Sequence, residues 1–263
     1  MNNVICAIAK NENKYINNWC NYHIALGFDH IYLFDNNDST MPFVGDFIEQ
    51  KDKVTIFNVN NIHEAGFQNK CYTKFYTENN KTFDWCAFID IDEFIVLKNH
   101  SNISEFLASK IFNKYEVIKL KWHIYGDDNI IERDETIPVQ NFFKKHLTNN
   151  KRANFAKTII RGGLEDIAMV SSHYPTKKGS LLSQCTSTGK ETRQKMYVEV
   201  EPNEIAWLNH YQTKTLKEFL DQKLNRTDCQ FKDSKLTLDY YWVLNTKTKE
   251  KEAYIKKYLE RIK

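Results

Sequence analysis

The sequence has no long hydrophobic run and no leader-like start. No apolar segment approaches the roughly 20 residues that a helix needs to cross a bilayer. The first residues, Met1 to Val4, enter a strand-like segment directly, without the basic start and long apolar stretch of a signal peptide. These two absences predict a protein that is made in the cytoplasm and stays there.

The sequence also lacks a C-x-x-C pair. Its six cysteines are Cys6, Cys20, Cys71, Cys86, Cys185 and Cys229. Most of them lie inside apolar segments, which argues against a disulfide framework or a structural zinc site. We therefore expect buried, reduced thiols.

Neither a strong charge nor a glycine-rich phosphate loop is present. The net charge of +3 is too small to indicate binding to nucleic acid. The missing Gly-x-Gly-x-x-Gly disfavours a dinucleotide cofactor. With 41% hydrophobic and 27% charged residues over 263 positions, the composition is that of a globular protein able to bury a sizeable core.

What the sequence does contain is a short apolar run that ends in three carboxylates. Residues 85–89 are too few for a typical helix and predict a buried central strand, and Asp90, Asp92 and Glu93 follow. Side chains two positions apart in an extended chain point the same way, so we expect Asp90 and Asp92 to converge. Crowded carboxylates need a cation between them, and hard oxygen ligands suit Mg²⁺ or Mn²⁺. The alternative is an acidic loop that caps the next helix.

The start of the chain predicts a parallel strand–helix–strand unit. Residues 4–9 and 31–34 form apolar strand-like runs, and the apolar positions between 16 and 26 recur at helical spacing. His23 lies on that apolar face and is predicted to be a packed histidine. Further strands are predicted at 54–57 and 117–120, and further helices at 67–79, 103–111 and 245–263. The pattern predicts an α/β fold with a mostly parallel central sheet flanked by helices.

Two polar stretches carry no clear period. Residues 127–151 are predicted to form a mobile loop. Residues 176–194 are rich in Lys, Ser, Thr and Gly, and they predict a flexible surface excursion.

Several of these segments resemble glycosyltransferases of the GT-A fold, especially the bacterial family-2 and family-92 types. Residues 85–94 are similar to the motif W-x-x-F-x-D-x-D-E-F. Residues 10–36 are similar to K-N-E-x-x-Y-I-x-E-W-x-x-Y-H-x-x-L-G-x-D-x-I-x-x-x-D-N, with Asn18 in place of the usual Glu. Residues 209–215 are similar to N-H-Y-x-x-K-S. Together these similarities extend over most of residues 3–225 and imply a GT-A-like, Rossmann-type sheet.

The resemblance implies a donor site and a metal site. The residues implied to bind the nucleotide-sugar are Asn11, Glu12, Asp35, Asn36, Gln68, Asp90 and Lys214. The implied ligands of Mn²⁺ or Mg²⁺ are Asp90, Asp92 and His210. Taken singly, Glu12 also suits the start of a helix, and Asp35-Asn36 also suits an ordinary turn.

On the acceptor side, the resemblance implies that Trp122 stacks on a sugar ring, with a plain core tryptophan as the alternative. Inverting transfer needs a base that takes the proton of the acceptor hydroxyl. Asp166, in a Glu-Asp pair similar to that of family-2 enzymes, is the predicted base, and His173 is its rival.

The implied function is transfer of a hexose, with inversion, from a UDP-sugar to a hydroxyl of a glycan or lipid-linked glycan in surface polysaccharide or lipo-oligosaccharide synthesis. We expect one domain over 1–225, with a donor half at 1–125 and an acceptor half at 126–225. A helical extension at 226–263 is expected to pack on it, with contact to the inner face of the cytoplasmic membrane as the alternative. Two other functions stay open: a metal-dependent nucleotidyltransferase or phosphohydrolase, and a non-catalytic glycan-binding domain.

Overall fold

The structure is a computed structural model that describes residues 1–62, 64–144, 147, 154–224 and 236–261. The strands of its large sheet are β1 (Asn3–Ala9), β2 (His30–Asp35), β3 (Val54–Asn58), β4 (Trp85–Phe88), β5 (Glu93–Leu97), β6 (Val117–Ile124), β7 (Ala156–Arg161), β11 (Gln184–Thr186) and β12 (Ala206–His210). A small antiparallel sheet contains β8 (Ile167–Ser171), β9 (Tyr174–Lys177) and β10 (Ser180–Leu181). The helices are α1 (Asn13–Ala25), α2 (Phe67–Asn79), α3 (Ile103–Leu107), α4 (Val139–Phe142), α5 (Leu216–Gln222), α6 (Leu238–Leu244) and α7 (Lys249–Arg261).

The large sheet is mixed, which corrects the prediction of a mostly parallel sheet. Its order is β3-β2-β1-β4-β7-β6-β12-β5, with β11 beside β6. The first four strands are parallel, as the strand–helix–strand pattern predicts. β7 then inserts antiparallel between β4 and β6, and β5 closes the far edge antiparallel to β12. Buried apolar residues of β4 and β6 hold β7 in this position. Ile159 of β7, for example, lies between Ala87 of β4 and Ile118 of β6.

Helices pack on both faces of this sheet because alternate residues of the strands are apolar on each face. α1 buries Ile16, Trp19 and His23 on one face. α2 buries Phe75 on the other, where Phe88 of β4 also lies. The prediction for His23 is confirmed: the ring is fully buried, its Nδ1 lies 2.9 Å from the carbonyl of Trp19, and burial lowers its pKa to about 3.

Two local predictions differ from the structure. The helix that begins at Ile103 is capped by Asn102, whose side chain accepts a hydrogen bond from Glu105 N at 2.8 Å, but it ends at Leu107. Residues 176–194 are not a flexible excursion, since they include the end of β9, all of β10, and β11. β11 is held by parallel pairing with β6, a contact between distant segments that the polar composition of this stretch does not reveal.

The C-terminal helices α6 and α7 pack on α5 through a separate apolar cluster. Its buried members are Leu216, Phe219, Leu220, Tyr241 and Ile255. Within the parts of the chain that the structure describes, no helix is long and apolar enough to cross a membrane.

Candidate active site

The acidic motif forms a turn between β4 and β5. Asp90 and Asp92 lie in this turn and not in an extended strand, so their side chains diverge toward different cations. Lys157 Nζ lies 2.7 Å from Asp90 Oδ2, and Lys223 Nζ lies 2.6 Å from Asp92 Oδ2. The positive charge that crowded carboxylates require is therefore supplied in part by two lysines of the chain itself.

The lysines keep both carboxylates ionised. Burial raises the pKa of Asp90, but the Lys157 ammonium outweighs it, and the pKa lies below its ordinary value. For Asp92, burial is outweighed by the charges of Lys223 and His210, which hold the pKa well below its usual range. The nearby Asp92 charge raises the pKa of Asp90 and so opposes the effect of Lys157.

Glu93 is the fully buried member of the acidic cluster. Its side chain is fully buried, and Oε2 accepts a hydrogen bond from Asp90 N at 2.9 Å. Burial raises the pKa of Glu93 well above its ordinary value, although the nearby Lys157 ammonium lowers it. Through its hydrogen bond with Asp90 N, Glu93 holds the backbone of the turn in place.

His210, at the end of β12, faces Asp92. Its Nε2 lies 3.4 Å from Asp92 Oδ1, and its ring packs edge-to-face against Trp122 at a centroid distance of 4.3 Å. Burial lowers the pKa of His210, although Asp92 raises it. The net direction favours a neutral imidazole, the form that ligates metals.

The donor atoms suit a divalent ion only in part. Among the described residues, no three His, Cys, Asp or Glu side chains are arranged to hold a metal ion. Asp92 Oδ1 and His210 Nε2 nevertheless face each other, and His210 Nδ1 is buried without a hydrogen-bond partner among the described residues. One carboxylate and one imidazole fit Mn²⁺ or Mg²⁺ when substrate phosphates and water complete the shell. Asp90 fits less well, because its oxygens are taken by Lys157 and Gln68.

Lys214 lies beside this cluster on the loop after β12. Its backbone has a φ of +53°, a left-handed conformation that non-glycine residues rarely adopt. The side chain is buried, with Nζ 3.2 Å from Glu12 Oε2 and 3.9 Å from the centroid of the Tyr15 ring. Strained backbone of this kind persists where the surrounding contacts define it, which is common at functional sites.

The residues predicted to contact the nucleotide lie at the carboxyl ends of β1 and β2. The strand pairing of Ala9 with Asp35 brings the segments that follow β1 and β2 together. Asp35 accepts backbone hydrogen bonds within its own loop, and Asn36 Nδ2 donates to the carbonyl of Ile62. The backbone N–H of Asn11 donates a hydrogen bond to Asn37 Oδ1 at 2.8 Å. These residues therefore shape the loops at the edge of the sheet where ligands bind in α/β folds.

Gln68 links the second helix to the acidic turn. Its Nε2 donates to Asp90 Oδ1 at 2.9 Å and to Tyr72 Oη at 3.0 Å. The structure thus brings this predicted donor residue to the acidic cluster.

Trp122 and His173 lie next to the cluster but inside the protein. The Trp122 ring is 7% exposed and packs edge-to-face against His173 at 5.2 Å, and its Nε1 has no hydrogen-bond partner among the described residues. His173 Nδ1 lies 2.7 Å from the carbonyl of Ala156, and burial together with Lys157 lowers its pKa to about 3. Trp122 is therefore a packed tryptophan rather than an open stacking platform.

Asp166 is not brought to the acidic cluster. It follows β7, whose last residue, Arg161, pairs with Trp85 at the start of β4, whereas Asp90 follows the end of β4. The Asp166 side chain is exposed and lies 3.1 Å from Lys178 Nζ. The antiparallel direction of β7 therefore places Asp166 at the opposite edge of the sheet from the acidic turn, and its role as the base stays a prediction.

Sequence reasoning missed the roles of Lys157 and Lys223. Each is buried and paired with one aspartate of the acidic motif, across 67 and 131 residues of chain respectively. The usable signal was electrostatic. Three carboxylates at a buried strand end need counter-charges, and these two lysines lie in or beside buried apolar segments.

Comparison with known proteins agrees with the motifs. The family model described as glycosyltransferase family 92 matches residues 4–251. A protein of Ricinus communis named as a glycosyltransferase family 92 protein is 24% identical over 132 residues. The matched region covers 48% of this chain and 23% of that relative, so the chain spans about a quarter of the length of the relative that it matches.

Proposed function

Since the chain belongs to glycosyltransferase family 92, we propose that it transfers a hexose from a nucleotide-sugar, with UDP as the nucleotide, to a hydroxyl group of a glycan acceptor. The observation that carries this proposal is the set of charged groups at one edge of the sheet. Asp90 and Asp92 each meet a lysine there, and both Lys214 and the ends of β1 and β2 adjoin them. A donor diphosphate placed across these groups would share the ammonium groups with their carboxylate partners, and a divalent ion held by Asp92 and His210 would supply the net positive charge where the diphosphate's negative charge builds.

In the proposed reaction, the chain's own residues bind and orient the donor. Lys214 stabilises the negative charge that develops on the leaving diphosphate, and Lys223, which pairs with Asp92, adds a second positive charge nearby. The charge on the leaving group is largest in the transition state. Gln68 and Lys157 hold Asp90 on the side of the cluster that faces α2. Asp92 and His210 would hold Mn²⁺ or Mg²⁺, and the ion when bound neutralises part of the phosphate charge.

The acceptor in this proposal is a glycan or lipid-linked glycan of a bacterial cell surface, and transfer proceeds with inversion in the cytoplasm at the membrane face. The acceptor proton would be taken by Asp166 or by His173. His173 lies nearer the acidic turn but is buried, whereas Asp166 is exposed but lies at the opposite edge of the sheet.

The test is an assay of UDP release from a panel of UDP-hexoses with Mn²⁺ and with EDTA. We expect Asp92→Asn to lower transfer at least about 100-fold, the scale of losing one major electrostatic element of a site. Asp46→Asn, which changes an exposed aspartate away from the cluster, is the matched control. Full activity of Asp92→Asn would end the proposed role of this carboxylate, full activity in EDTA would end that of the metal, and release of pyrophosphate instead of UDP would indicate nucleotidyl transfer.

Direct binding of UDP tests the cationic side of the site. Lys214→Ala should weaken UDP binding roughly 10-fold or more, since a buried ammonium beside the diphosphate is lost. Lys217→Ala removes a more exposed lysine three residues away and should leave binding unchanged. Equal affinities of the two variants would remove Lys214 from the donor site.

A further inference from the structure

A cavity of about 170 Å³ opens beside the acidic turn, between α1 and residues 133–139. Its floor is made of buried side chains, among them Tyr15, Asp92 and Lys214. Asn17 and Asn18 of α1 form one wall, and residues 136–139 form the other. The second wall belongs to the segment that the sequence predicts to lie on the acceptor side.

The size of the cavity limits what can enter it. Pockets for drug-sized ligands usually measure about 300–1,000 Å³, so this cavity is too small for a whole nucleotide-sugar. A single sugar ring is the appropriate size class. Because Asp92 and Lys214 belong to the lining, a ring held here would lie against the groups proposed to bind the diphosphate.

The charges around the cavity do not favour a free anion. Each cation of the lining already has a carboxylate partner in the structure. The pairs are Lys14 with Glu135 at 2.8 Å, Arg133 with Glu218 at 2.8 Å, and Lys214 with Glu12 at 3.2 Å. Asp92, which also belongs to the lining, is paired with Lys223 at 2.6 Å. The cavity is therefore close to neutral, which suits an uncharged polyhydroxyl ligand better than an isolated phosphate.

The wall chemistry matches a pyranose ring. Asn17, Asn18 and Thr136 offer both donors and acceptors, as the hydroxyl groups of a sugar require. Ile137 and Pro138 provide an apolar surface on the opposite side, and Ile137 is 39% exposed. Small-molecule sites commonly combine an apolar wall with a few placed polar groups.

One part of the lining is an exposed ion pair. Lys14 and Glu135 both line the cavity, with side-chain exposures of 55% and 37%. Exposed ion pairs of this kind contribute little to stability, so a ligand can displace this one at low cost.

We propose that this cavity binds one pyranose ring during transfer. The proposal rests on the proposed glycosyltransferase function and deepens it, since it names the subsite that receives a sugar. The ring belongs either to the acceptor's terminal sugar or to the donor hexose, and the two share the same chemistry.

The test measures direct binding of the methyl glycosides of glucose, galactose and N-acetylglucosamine by saturation-transfer NMR. The glycoside concentration extends to about 100 mM, because single rings bind weakly. We expect a saturation signal for at least one glycoside with the unmodified chain. Ile137→Trp places a large ring in the opening and should lower that signal at least about five-fold. Ile111→Trp changes an isoleucine of similar exposure, 42%, outside the cavity and should leave the signal unchanged.

A second pair of variants tests the polar wall. Asn18→Ala should lower the signal as well, whereas Asn21→Ala, one helical turn further along α1 and outside the lining, should not. Absence of any signal with the unmodified chain, or equal signals in Ile137→Trp and Ile111→Trp, overturns the proposal. These outcomes do not depend on turnover. A negative result in the glycosyltransferase assay can therefore be distinguished from a failure of the cavity to bind a sugar ring.

Titrations with UDP and a UDP-hexose then identify the source of the ring. If the cavity receives the donor hexose, Ile137→Trp should weaken binding of the UDP-hexose about 10-fold and leave UDP unaffected. If it receives the acceptor, both affinities should persist while the KM for the acceptor rises. Either result supports the subsite and assigns it to one substrate.

Discussion

At Glu218, one buried carboxylate receives hydrogen bonds from three parts of the chain. Arg133 donates from Nε and Nη2 at 2.8–3.1 Å, Tyr15 Oη donates at 2.8 Å, and Thr215 donates from its backbone and hydroxyl. Thr215 directly follows Lys214, and Tyr15 lies under its ammonium. Glu218 is therefore a positioning residue for Lys214 as well as the capping partner of α5.

Glu218→Gln should destabilise the protein by roughly 3–5 kcal/mol, because the change leaves Arg133 buried without its counter-charge. Burial raises the pKa of Glu218, but the hydrogen bonds from Arg133 and Thr215, together with the charges of Arg133 and Lys214, lower it to about 2. The unfolded pKa is about 4.3. The stabilising contribution is thus fully present above about pH 5 and is lost as the pH falls toward 2.

Urea unfolding of the unmodified chain and of Glu218→Gln, from pH 7 to pH 2, measures this contribution of Glu218 to stability. The difference in the free energy of unfolding should shrink steadily below pH 5. Glu78→Gln, at an exposed glutamate of α2, is the control and should change stability by less than about 0.5 kcal/mol at every pH. A pH-independent difference for Glu218→Gln would contradict the ion-pair explanation.

The base is tested by separating binding from turnover. His173→Ala should abolish transfer while Mn²⁺-dependent UDP binding persists, because the donor groups are untouched. Asp166→Asn changes an exposed residue at the opposite edge of the sheet and should retain near-normal turnover. The reverse pattern would identify Asp166 as the base and require that the loop after β7 move.

At the scale of elements, the C-terminal helices hold the segment that walls the cavity. Lys251 of α7 is buried and pairs with Asp127, which also accepts a hydrogen bond from Tyr241 Oη of α6. Further along the same segment, the carbonyls of Ile130 and Ile131 accept hydrogen bonds from the start of α5. The first part of the segment 127–139 is therefore held by α5, α6 and α7.

Lys251→Met should destabilise the protein by roughly 3–5 kcal/mol, since it leaves Asp127 buried without its cation. Hydrogen exchange in α7 and in residues 127–139 should accelerate together. Lys256→Met alters an exposed lysine of the same helix and serves as the control. Faster exchange in α7 alone would show that the helix does not support the cavity wall.

At the scale of the whole molecule, burial governs the chemistry of the cysteines. The five described cysteines are free and buried, as the sequence predicts, and Cys229 lies outside the described residues. Burial raises the pKa of Cys20 and Cys185 to about 12. Thiolates are the reactive form, so these thiols should be inert while the fold persists.

Labelling with a thiol reagent at pH 8, followed by peptide mapping, checks this. Cys6, Cys20, Cys71, Cys86 and Cys185 should stay unmodified in the native protein and react fully in denaturant. The denatured sample controls for reagent and detection. Rapid modification of Cys20 or Cys185 in the native state would mean that the core opens locally.

The sequence by itself determined what depends on neighbouring residues. Period and capping signals located β1, α1 and β2, and the abrupt end of the apolar run located the acidic turn with Asp90 and Asp92. The motifs also indicated the family, which the match of the family model to residues 4–251 establishes.

Only the tertiary structure decided which distant segments meet. The antiparallel insertion of β7 carried Lys157 to Asp90 and took Asp166 to the other edge, and the position of α5 brought Lys223 to Asp92. The order and direction of the strands produce no periodic pattern of apolar residues in the sequence, because both depend on packing between segments that are far apart along the chain. The directions of the Asp90 and Asp92 side chains likewise depend on a turn, and they diverge toward Lys157 and Lys223 although their spacing predicts convergence.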